Sequence, residues 1–158
     1  MNAVRNTFAV ESPITNLAVT VEDGAVTRID LNRRGRRPPR GELERLVVRE
    51  LEQYLAGKRK AFTFPIRTEG TDFNQRVWHE LESIPYGETV SYGELARRVG
   101  NAKAARAVGT ANGRNPIPIV IPCHRVVASG GKLGGYGGGL PLKRRLLDLE
   151  VAHSPPVR

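Results

Sequence analysis

The strongest constraint on the fold of this chain is the segment LAVTVEDGAVTRIDL at residues 17–31. Apolar and polar residues alternate on both sides of Asp23-Gly24, a dipeptide that suits the positive φ angles of a tight hairpin turn. The segment therefore predicts two antiparallel strands. Residues 41–57 then place apolar side chains at helical spacing and end at Gly57, which predicts a helix that covers the sheet. We expect the first part of the chain to be a structural lobe.

The remainder of the chain predicts a second, mainly helical lobe. Residues 71–83 predict a helix with Trp78 on its apolar face, so that Trp78 is expected in the core. The prolines of segment 114–122 exclude a regular helix there and favour an extended chain. The glycine-rich segment 128–140 predicts a loop, and Pro141 marks the first position of a final helix.

Between these elements, two short helices are predicted in succession. Residues 91–100 carry the S-x-x-E spacing of a capping box and end at Gly100. Residues 101–112 predict a second helix, with Asn101 as its cap. Two short helices joined at a glycine are typical of a helix-turn-helix.

The second of these helices has an unusual composition. Alanine and glycine fill most of it, and Lys103 and Arg106 are its only charged residues. So narrow a helix can pack closely against another helix of the same protein, or it can lie against nucleic acid. The basic surroundings favour nucleic acid.

The chain is basic, with 25 Lys and Arg against 16 Asp and Glu, a formal net charge of +9. No acidic residue occurs between Leu95 and Leu147, whereas lysine and arginine are frequent there. A segment with charges of one sign indicates a polyanionic partner, although a merely solvated basic surface would have the same composition. A further basic run at residues 33–40 predicts an exposed loop, either a connector or a secondary phosphate contact.

The only cysteine, Cys123, stands between Pro122 and His124. A single thiol can form neither an internal disulfide nor a paired-thiol zinc site, and with only three histidines we predict no metal and no cofactor. Lone cysteines are most often small buried hydrophobes. Here His124 and Arg125 are expected to favour the thiolate, and Pro122 to place it at the end of a strand. A nucleophile is therefore the preferred interpretation.

A nucleophilic thiol needs a base and a group that orients the base. His124 is the only histidine nearby in the sequence, and it could act directly or through a water. Asp148 and Glu150 are the nearest acidic residues after the basic segment, and either could hold the imidazole.

Four segments in a fixed order resemble one protein family. SYGELA and KAARAVG precede NPIPIVIPCHRVV, and GGYGGGLPLKRRLLDLE follows it. Over roughly residues 70–150 they resemble the O6-alkylguanine-DNA alkyltransferases, also called methylated-DNA-protein-cysteine methyltransferases. The first lobe resembles that family in outline, through SPITNL and the hairpin-then-helix pattern. The resemblance implies an α+β fold, with an N-terminal ribonuclease-H-like antiparallel sheet lobe under a covering helix and a C-terminal, mostly helical lobe that holds a helix-turn-helix and the active-site cysteine.

The resemblance also implies a function, that of a single-turnover DNA repair enzyme. The protein would flip O6-alkylguanine out of double-stranded DNA and transfer the alkyl group irreversibly to Cys123. O4-alkylthymine is a further candidate lesion. The protein would act as a monomer and without a cofactor, and the zinc site of some relatives lacks its ligands here.

The family motifs imply catalytic roles for five residues. Cys123 would accept the alkyl group, His124 would serve as its base through a bound water, and Glu150 would orient the imidazole. Asn115 would form a hydrogen bond near the thiolate. Tyr92 would donate a proton toward guanine N3 and help the nucleotide to rotate out of the helix.

Other residues are implied to contact the DNA or the flipped base. Arg106 would fill the space left by the extruded guanine. The remaining residues implied to contact DNA are Tyr92, Lys103, Ala104, Ala105 and Arg125. Those implied to line the base pocket are Val126, Tyr136, Gly137 and Gly138. At the position of Gly137, many relatives carry serine.

Three other functions agree with parts of the sequence. A non-reactive alkyltransferase-like protein that only binds the lesion is disfavoured by Cys123, because such proteins replace the cysteine. A helix-turn-helix regulator with a redox cysteine is disfavoured because Lys103 and Arg106 offer too few side chains to read bases in the major groove. A turnover cysteine hydrolase would need an oxyanion hole and a deacylation route, and neither is evident.

The expected domains are a structural lobe at residues 1–66, a DNA-binding and alkyl-acceptor lobe at 67–152 and a tail at 153–158. The first ten residues have no long apolar segment with a small-residue cleavage site, so that no signal peptide is predicted. No apolar run is long enough to span a membrane. We therefore expect an intracellular, cytoplasmic protein.

Overall fold

The computed structural model describes residues 6–154, which form two compact units that divide between Thr68 and Glu69. Residues 1–5 and 155–158 lie outside the described residues. The predicted tail is therefore described only in part, and so is the N-terminal segment for which no signal peptide is predicted. Within residues 6–154, no helix has the length and apolar character needed to cross a membrane.

The first unit is an antiparallel sheet with one helix against it. Its elements are β1 (Thr7–Val10), β2 (Leu17–Glu22), β3 (Ala25–Leu31) and α1 (Gly41–Leu55), and the strand order is β1-β2-β3. Asp23 and Gly24 form the hairpin turn with φ angles of 48° and 78°, as predicted. Helix α1 packs on β1 and buries Val47, Leu51 and Tyr54 completely.

The basic loop at residues 33–40 packs against the edge of this sheet. A Cβ added at Gly35 would lie 2.6 Å from the backbone of Ala9, and the Ala9 amide donates a hydrogen bond to the Arg37 carbonyl at 2.8 Å. The guanidinium of Arg37 pairs with Glu44 at 2.7 Å. The loop is therefore a packed part of the first unit, with its other arginines exposed.

The second unit is mainly helical. Its elements are α2 (Asp72–Leu81), β4 (Val90–Ser91), α3 (Tyr92–Arg98), α4 (Ala105–Gly113), β5 (Val126–Val127) and α5 (Leu140–Ala152). The two short strands pair in parallel, with Val90 opposite Val126. Together with the antiparallel sheet of the first unit, these helices confirm the predicted α+β class.

Helix α3 begins as its capping residues predict, whereas α4 begins later. The Ser91 hydroxyl accepts a hydrogen bond from the Glu94 amide at 3.0 Å, and Gly100 takes a φ of 91° after the helix end. Asn101 does not cap α4. Its side chain accepts from the Lys103 amide at 3.0 Å and so stabilises a separate turn before the helix.

The segment before the cysteine is folded into turns, and the prediction of an extended chain was wrong. The Ile121 amide donates to the Ile117 carbonyl at 2.9 Å, and Ile119 takes a φ of 75°. The prolines exclude helix as expected, but they also remove the amide donors that a paired strand would need. Cys123 consequently begins a single 3₁₀ turn, Cys123–Arg125, and does not end a strand.

Helix α5 starts at Leu140, one residue earlier than predicted. Gly139 is its N-cap, so that Pro141 occupies the second helical position. Proline is tolerated there because the amides of the first turn have no intrahelical partner.

Trp78 joins α2 to α4. Its side chain is 3% exposed, and its indole Nε1 donates to the Ala111 carbonyl of α4 at 2.8 Å. The predicted core position is confirmed, and the hydrogen bond fixes the second helix of the helix-turn-helix to the body of the unit.

Replacing Trp78 with phenylalanine should destabilise the protein by about 2 kcal/mol or more, because the substitution leaves the buried Ala111 carbonyl without its donor and creates a cavity. Urea unfolding followed by circular dichroism measures the change. His79→Ala, at an exposed position of the same helix, is the control and should stay within about 0.5 kcal/mol of the parent protein. Equal stability of the parent and Trp78→Phe would contradict the proposed linkage.

Candidate active site

A buried cluster in the second unit joins two parts of the chain that the sequence separates, the 3₁₀ turn and α5. The 3₁₀ turn contributes Cys123, His124 and Arg125, and α5 contributes Glu150. His124 is 0% exposed and Glu150 is 1% exposed. Buried ionisable groups are rare unless they are paired, so this cluster is a candidate active site.

His124 and Glu150 form a short hydrogen bond, with 2.6 Å between Nε2 and Oε2. Burial alone would raise the pKa of Glu150, but hydrogen bonds from His124 and Arg125 outweigh burial and hold that pKa at about 2. The carboxylate is therefore ionised, and the imidazole donates through Nε2. Burial lowers the pKa of His124 despite its bond to Glu150. A neutral His124 with its proton on Nε2 has Nδ1 as the nitrogen that can accept a proton.

Arg125 binds the same carboxylate, although the sequence predicts a DNA contact for it. Nε donates to Oε1 of Glu150 at 2.8 Å and Nη2 donates to Oε2 at 3.0 Å. Nη1 donates to the Ile84 carbonyl at 2.7 Å, and the guanidinium lies 5.6 Å from the centre of the Tyr86 ring. With 8% of its side chain exposed, Arg125 is occupied inside the protein and does not fit the predicted DNA surface.

The thiol of Cys123 is protonated at neutral pH. Burial raises its pKa to about 11, against the opposing effects of a hydrogen bond from Asn115 and the positive charge of Lys143. The expectation that His124 and Arg125 would favour the thiolate was wrong, because the two side chains are committed to Glu150. Deprotonation of this thiol therefore needs a base.

Asn115 shapes the chain immediately before the thiol. Its Nδ2 donates to the Ile121 carbonyl at 2.7 Å, and its Oδ1 accepts from the Ile117 amide at 2.9 Å. The two bonds close the turn that leads to Cys123. Asn115 thus both holds the backbone of the site and forms the one side-chain hydrogen bond that acts to lower the thiol pKa.

Tyr92, at the start of α3, lies against the glycine-rich loop. A Cβ at Gly134 would come within 2.9 Å of the Tyr92 ring, so that only glycine permits this approach. Burial raises the pKa of Tyr92, and hydrogen bonds from the Gly135 amide and the Asn112 side chain act in the opposite direction. Asn112 also donates to the Cys123 carbonyl at 3.3 Å and thereby connects α4 to the active-site turn.

The predicted base-pocket residues occupy different environments. Val126 is fully buried, Gly137 is exposed and Gly138 is partly exposed. The Tyr136 hydroxyl is buried and has no hydrogen-bond partner among residues 6–154. Burial raises the pKa of Tyr136 well above its usual value, and the negative charge of an ionised Cys123 would raise it further, which places the phenol near the thiol.

Lys143 of α5 holds the glycine-rich loop in place. Its Nζ is buried and donates to the carbonyls of Val126, Leu133 and Gly135. Burial lowers the pKa of Lys143, whereas the negative charge of an ionised Cys123 would raise it. The ammonium therefore contributes both the position of the loop and a positive charge near the thiol.

The turn before α4 and the first residues of α4 carry the remaining predicted contacts. Lys103 and Arg106 are exposed, and Ala104 and Ala105 are partly exposed around the start of the helix. Arg106 consequently projects from a surface whose neighbouring side chains are small.

A family comparison agrees with this arrangement. The sequence model described as 6-O-methylguanine DNA methyltransferase, DNA binding domain, matches residues 72–152. A methylated-DNA–protein-cysteine methyltransferase of Mycolicibacterium paratuberculosis is 47% identical over 152 residues, which cover 92% of each chain. The chain belongs to the 6-O-methylguanine DNA methyltransferase family. The family predicted from the sequence motifs is thereby confirmed.

Other members of the methyltransferase family are similar in sequence and in structure. A relative with the same name from Methanosarcina acetivorans is 54% identical over 109 residues, covering 69% of this chain and 70% of its own. The crystal structure of the Mycobacterium tuberculosis O6-methylguanine methyltransferase has a TM-score of 0.84 and 42% identity, covering 95% of this chain and 94% of that one. The OGT of the same organism in complex with DNA has a TM-score of 0.84 and 44% identity, covering 94% of each chain.

Two residues of this site were not predicted from the sequence. Lys143 was only one of the basic residues between Leu95 and Leu147, and Asn112 was only the last residue of the predicted second helix. Leu146 and Leu147 follow Lys143 at helical spacings of three and four residues, a pattern that could have signalled a position for Lys143 on the buried face of the helix. No local pattern marks Asn112, because its partners are distant in the sequence.

Replacing Lys143 with methionine should loosen the glycine-rich loop and raise the pKa of the Cys123 thiol further, because three carbonyls lose a charged donor and the thiolate loses a nearby positive charge. We expect about tenfold faster deuterium exchange for residues 133–135 and slower reaction of the thiol with iodoacetamide. Arg144→Met, at the exposed neighbouring position, is the matched control. Unchanged exchange in Lys143→Met would show that other contacts hold the loop.

Proposed function

We propose that the protein repairs double-stranded DNA by transferring the alkyl group of O6-alkylguanine, with O4-alkylthymine as a second candidate lesion, to Cys123. The observation that carries this proposal is the buried Cys123-His124-Glu150 arrangement in a chain of the methyltransferase family. The structural similarity to a family member in complex with DNA supports DNA as the partner. Since the product is a stable thioether and the chain has one cysteine, each molecule reacts once. We further propose that the protein acts as a monomer.

The first step is deprotonation of the thiol. Because burial keeps the pKa of Cys123 at about 11, the resting thiol does not ionise spontaneously at neutral pH. Neutral His124 accepts the proton at Nδ1, through a bound water, and the carboxylate of Glu150 stabilises the resulting imidazolium. Asn115 then stabilises the thiolate by the hydrogen bond already described.

The second step is an in-line displacement at the alkyl carbon. The thiolate sulfur forms a bond to that carbon, and the bond between the carbon and O6 breaks with its electron pair passing to the purine. Tyr92 donates a proton toward N3 of the leaving guanine and is reprotonated from solvent. Amide donors from Gly135 and Asn112 to the phenol oxygen favour this transfer, since they stabilise the transient phenolate.

Access to the lesion requires base flipping. A base in the duplex conceals its O6 atom, and extruding it costs a few kcal/mol that protein contacts must offset. Helix α4 is narrow enough to enter the minor groove, where Ala104 and Ala105 allow close approach and Lys103 contacts phosphate. Arg106 takes the place of the extruded guanine. Lesion binding alone, without transfer, is not favoured, because the acceptor cysteine is present.

The flipped base is expected to lie beside the active-site turn. Tyr136 covers one face of the purine, and the backbone groups of Val126, Gly137 and Gly138 meet its edge. The Tyr136 hydroxyl without a partner among the described residues is consistent with a site that a ligand or water completes.

Incubation with duplex DNA that contains one O6-methylguanine should add a single methyl group to the Cys123 peptide, detected by mass spectrometry, with no further turnover. Cys123→Ser is the control and should bind the DNA without gaining the methyl group. The proposal would be contradicted if the DNA were repaired while the Cys123 peptide stayed unmodified, or if the methyl group were found on another residue.

Arg106→Ala should slow transfer from the duplex by about tenfold or more, because the flipped state loses the side chain that fills the stack, a loss worth a few kcal/mol. Reaction with free O6-methylguanine base should change by less than about twofold, since no flipping is needed. Single-turnover rates with each substrate measure both effects. Arg76→Ala, at an exposed position of α2, is the matched control. Equal losses on both substrates would remove Arg106 from the flipping step.

A further inference from the structure

Arg125 lies directly after the proposed base His124 and takes no direct part in the proposed proton transfer or displacement. Its guanidinium makes two parallel hydrogen bonds to the carboxylate of Glu150, at 2.8 and 3.0 Å. Its third nitrogen is fixed by the Ile84 carbonyl at 2.7 Å. Two-point binding of this kind sets both the position and the rotation of a carboxylate.

The geometry also determines which oxygen of Glu150 meets the imidazole. The Gly87 amide donates to Oε1 at 3.1 Å, and Arg125 bridges Oε1 and Oε2. With Oε1 bound by these two donors, Oε2 faces Nε2 of His124 at 2.6 Å. Glu150 cannot turn away from His124 without breaking the bonds to Arg125.

Charge balance gives a second reason for the presence of Arg125. An ionised carboxylate inside a protein is costly unless an opposite charge lies beside it. If Glu150 had only His124 as a partner, the buried carboxylate would favour the protonated imidazole. The adjacent guanidinium supplies the positive charge instead, so that His124 can remain neutral.

Other ionisable groups around His124 do not replace this charge. Lys143 of α5 lowers the pKa of His124 in the same direction as Arg125 but less strongly, and its ammonium donates to three loop carbonyls. Cys123, Tyr86 and Tyr136 are neutral at pH 7 because the pKa of each is raised, chiefly by burial. On α2, which packs against the 3₁₀ turn, Asp72, Arg76 and His79 are exposed, and Glu80 bonds to Ser83.

We infer that Arg125 is a positioning residue for the transfer reaction: it neutralises Glu150 inside the protein and thereby keeps His124 as the neutral imidazole that can accept the proton of Cys123. This inference rests on the proposed function, in which His124 is the base. It assigns Arg125 to the chemistry and not to the binding of phosphate.

The decisive variant is Arg125→Met, which keeps much of the side-chain volume and removes the charge. Without the guanidinium, the His124–Glu150 pair should bind a proton at higher pH, since protonation of the pair then restores neutrality. We expect the midpoint to rise by at least about one pH unit, a tenfold change in proton affinity. It is measured by the NMR titration of the His124 ring in ligand-free Cys123→Ser protein.

The same shift should appear in the reaction. The acidic limb of the single-turnover rate against pH should move upward in Arg125→Met, and Arg125→Lys, which keeps the charge but not the two-point contact, should move it less. Binding of Cys123→Ser protein to duplex DNA should change by less than about twofold, with an unaltered salt dependence. Arg144→Met, at an exposed position of α5, is the control for loss of a surface arginine.

Two results would overturn the inference. One is a His124 titration that stays at the parent midpoint in folded Arg125→Met, or in Arg125→Gln, which also removes the charge, should the methionine variant not fold. The other is weaker DNA binding with a smaller salt slope, which would identify Arg125 as a phosphate contact. The NMR titration needs no alkyl transfer, so failure of the proposed function would leave this test intact.

Discussion

The active site depends on one buried carboxylate. Glu150 is 1% exposed and accepts hydrogen bonds from His124, Arg125 and the Gly87 amide. These donors stabilise the ionised form by more than burial destabilises it, which is why its pKa lies near 2. Because the partners come from the segment after α2 and from the 3₁₀ turn, the carboxylate on α5 joins three parts of the second unit at one point.

The proposed chemistry requires a thiol that is unreactive at rest and a neutral base that can activate it, and different contacts in the site meet these two requirements. The thiol is kept protonated and unreactive by burial, whereas the base that activates it is kept neutral beside a carboxylate whose charge is already balanced. A thiol ionised at rest would react with any electrophile that reached it, whereas in the proposed mechanism this thiol reacts only after His124 has taken its proton. Lys143 and Asn115 offset part of the cost of the thiolate once it forms. In the proposed mechanism, the reactivity of Cys123 is thus set by burial and by contacts in the folded chain, and adjacency to His124 and Arg125 in the sequence does not by itself lower its pKa.

Sequence reasoning was most accurate where local rules determine the structure. The Asp23-Gly24 turn, the Ser91 cap and the stop at Gly100 follow from backbone preferences of single residues, and all are present. It was least accurate between Asn101 and Cys123, where side-chain bonds to nearby amides and the loss of amides at proline compete with regular structure. Asn101 stabilises a turn in place of a helix start for this reason.

The sequence by itself determined the family, the single acceptor thiol and the basic segment that lacks any acidic residue, because motifs, composition and charge need no coordinates. Local reasoning could not choose between Asp148 and Glu150, and Arg125 was counted among the DNA contacts. The family resemblance pointed to Glu150, and only the tertiary structure showed that its carboxylate binds both His124 and Arg125. Buried ion pairs join residues far apart in the chain, and whether a charge faces water or another charge depends on the packing of α5 against the active-site turn.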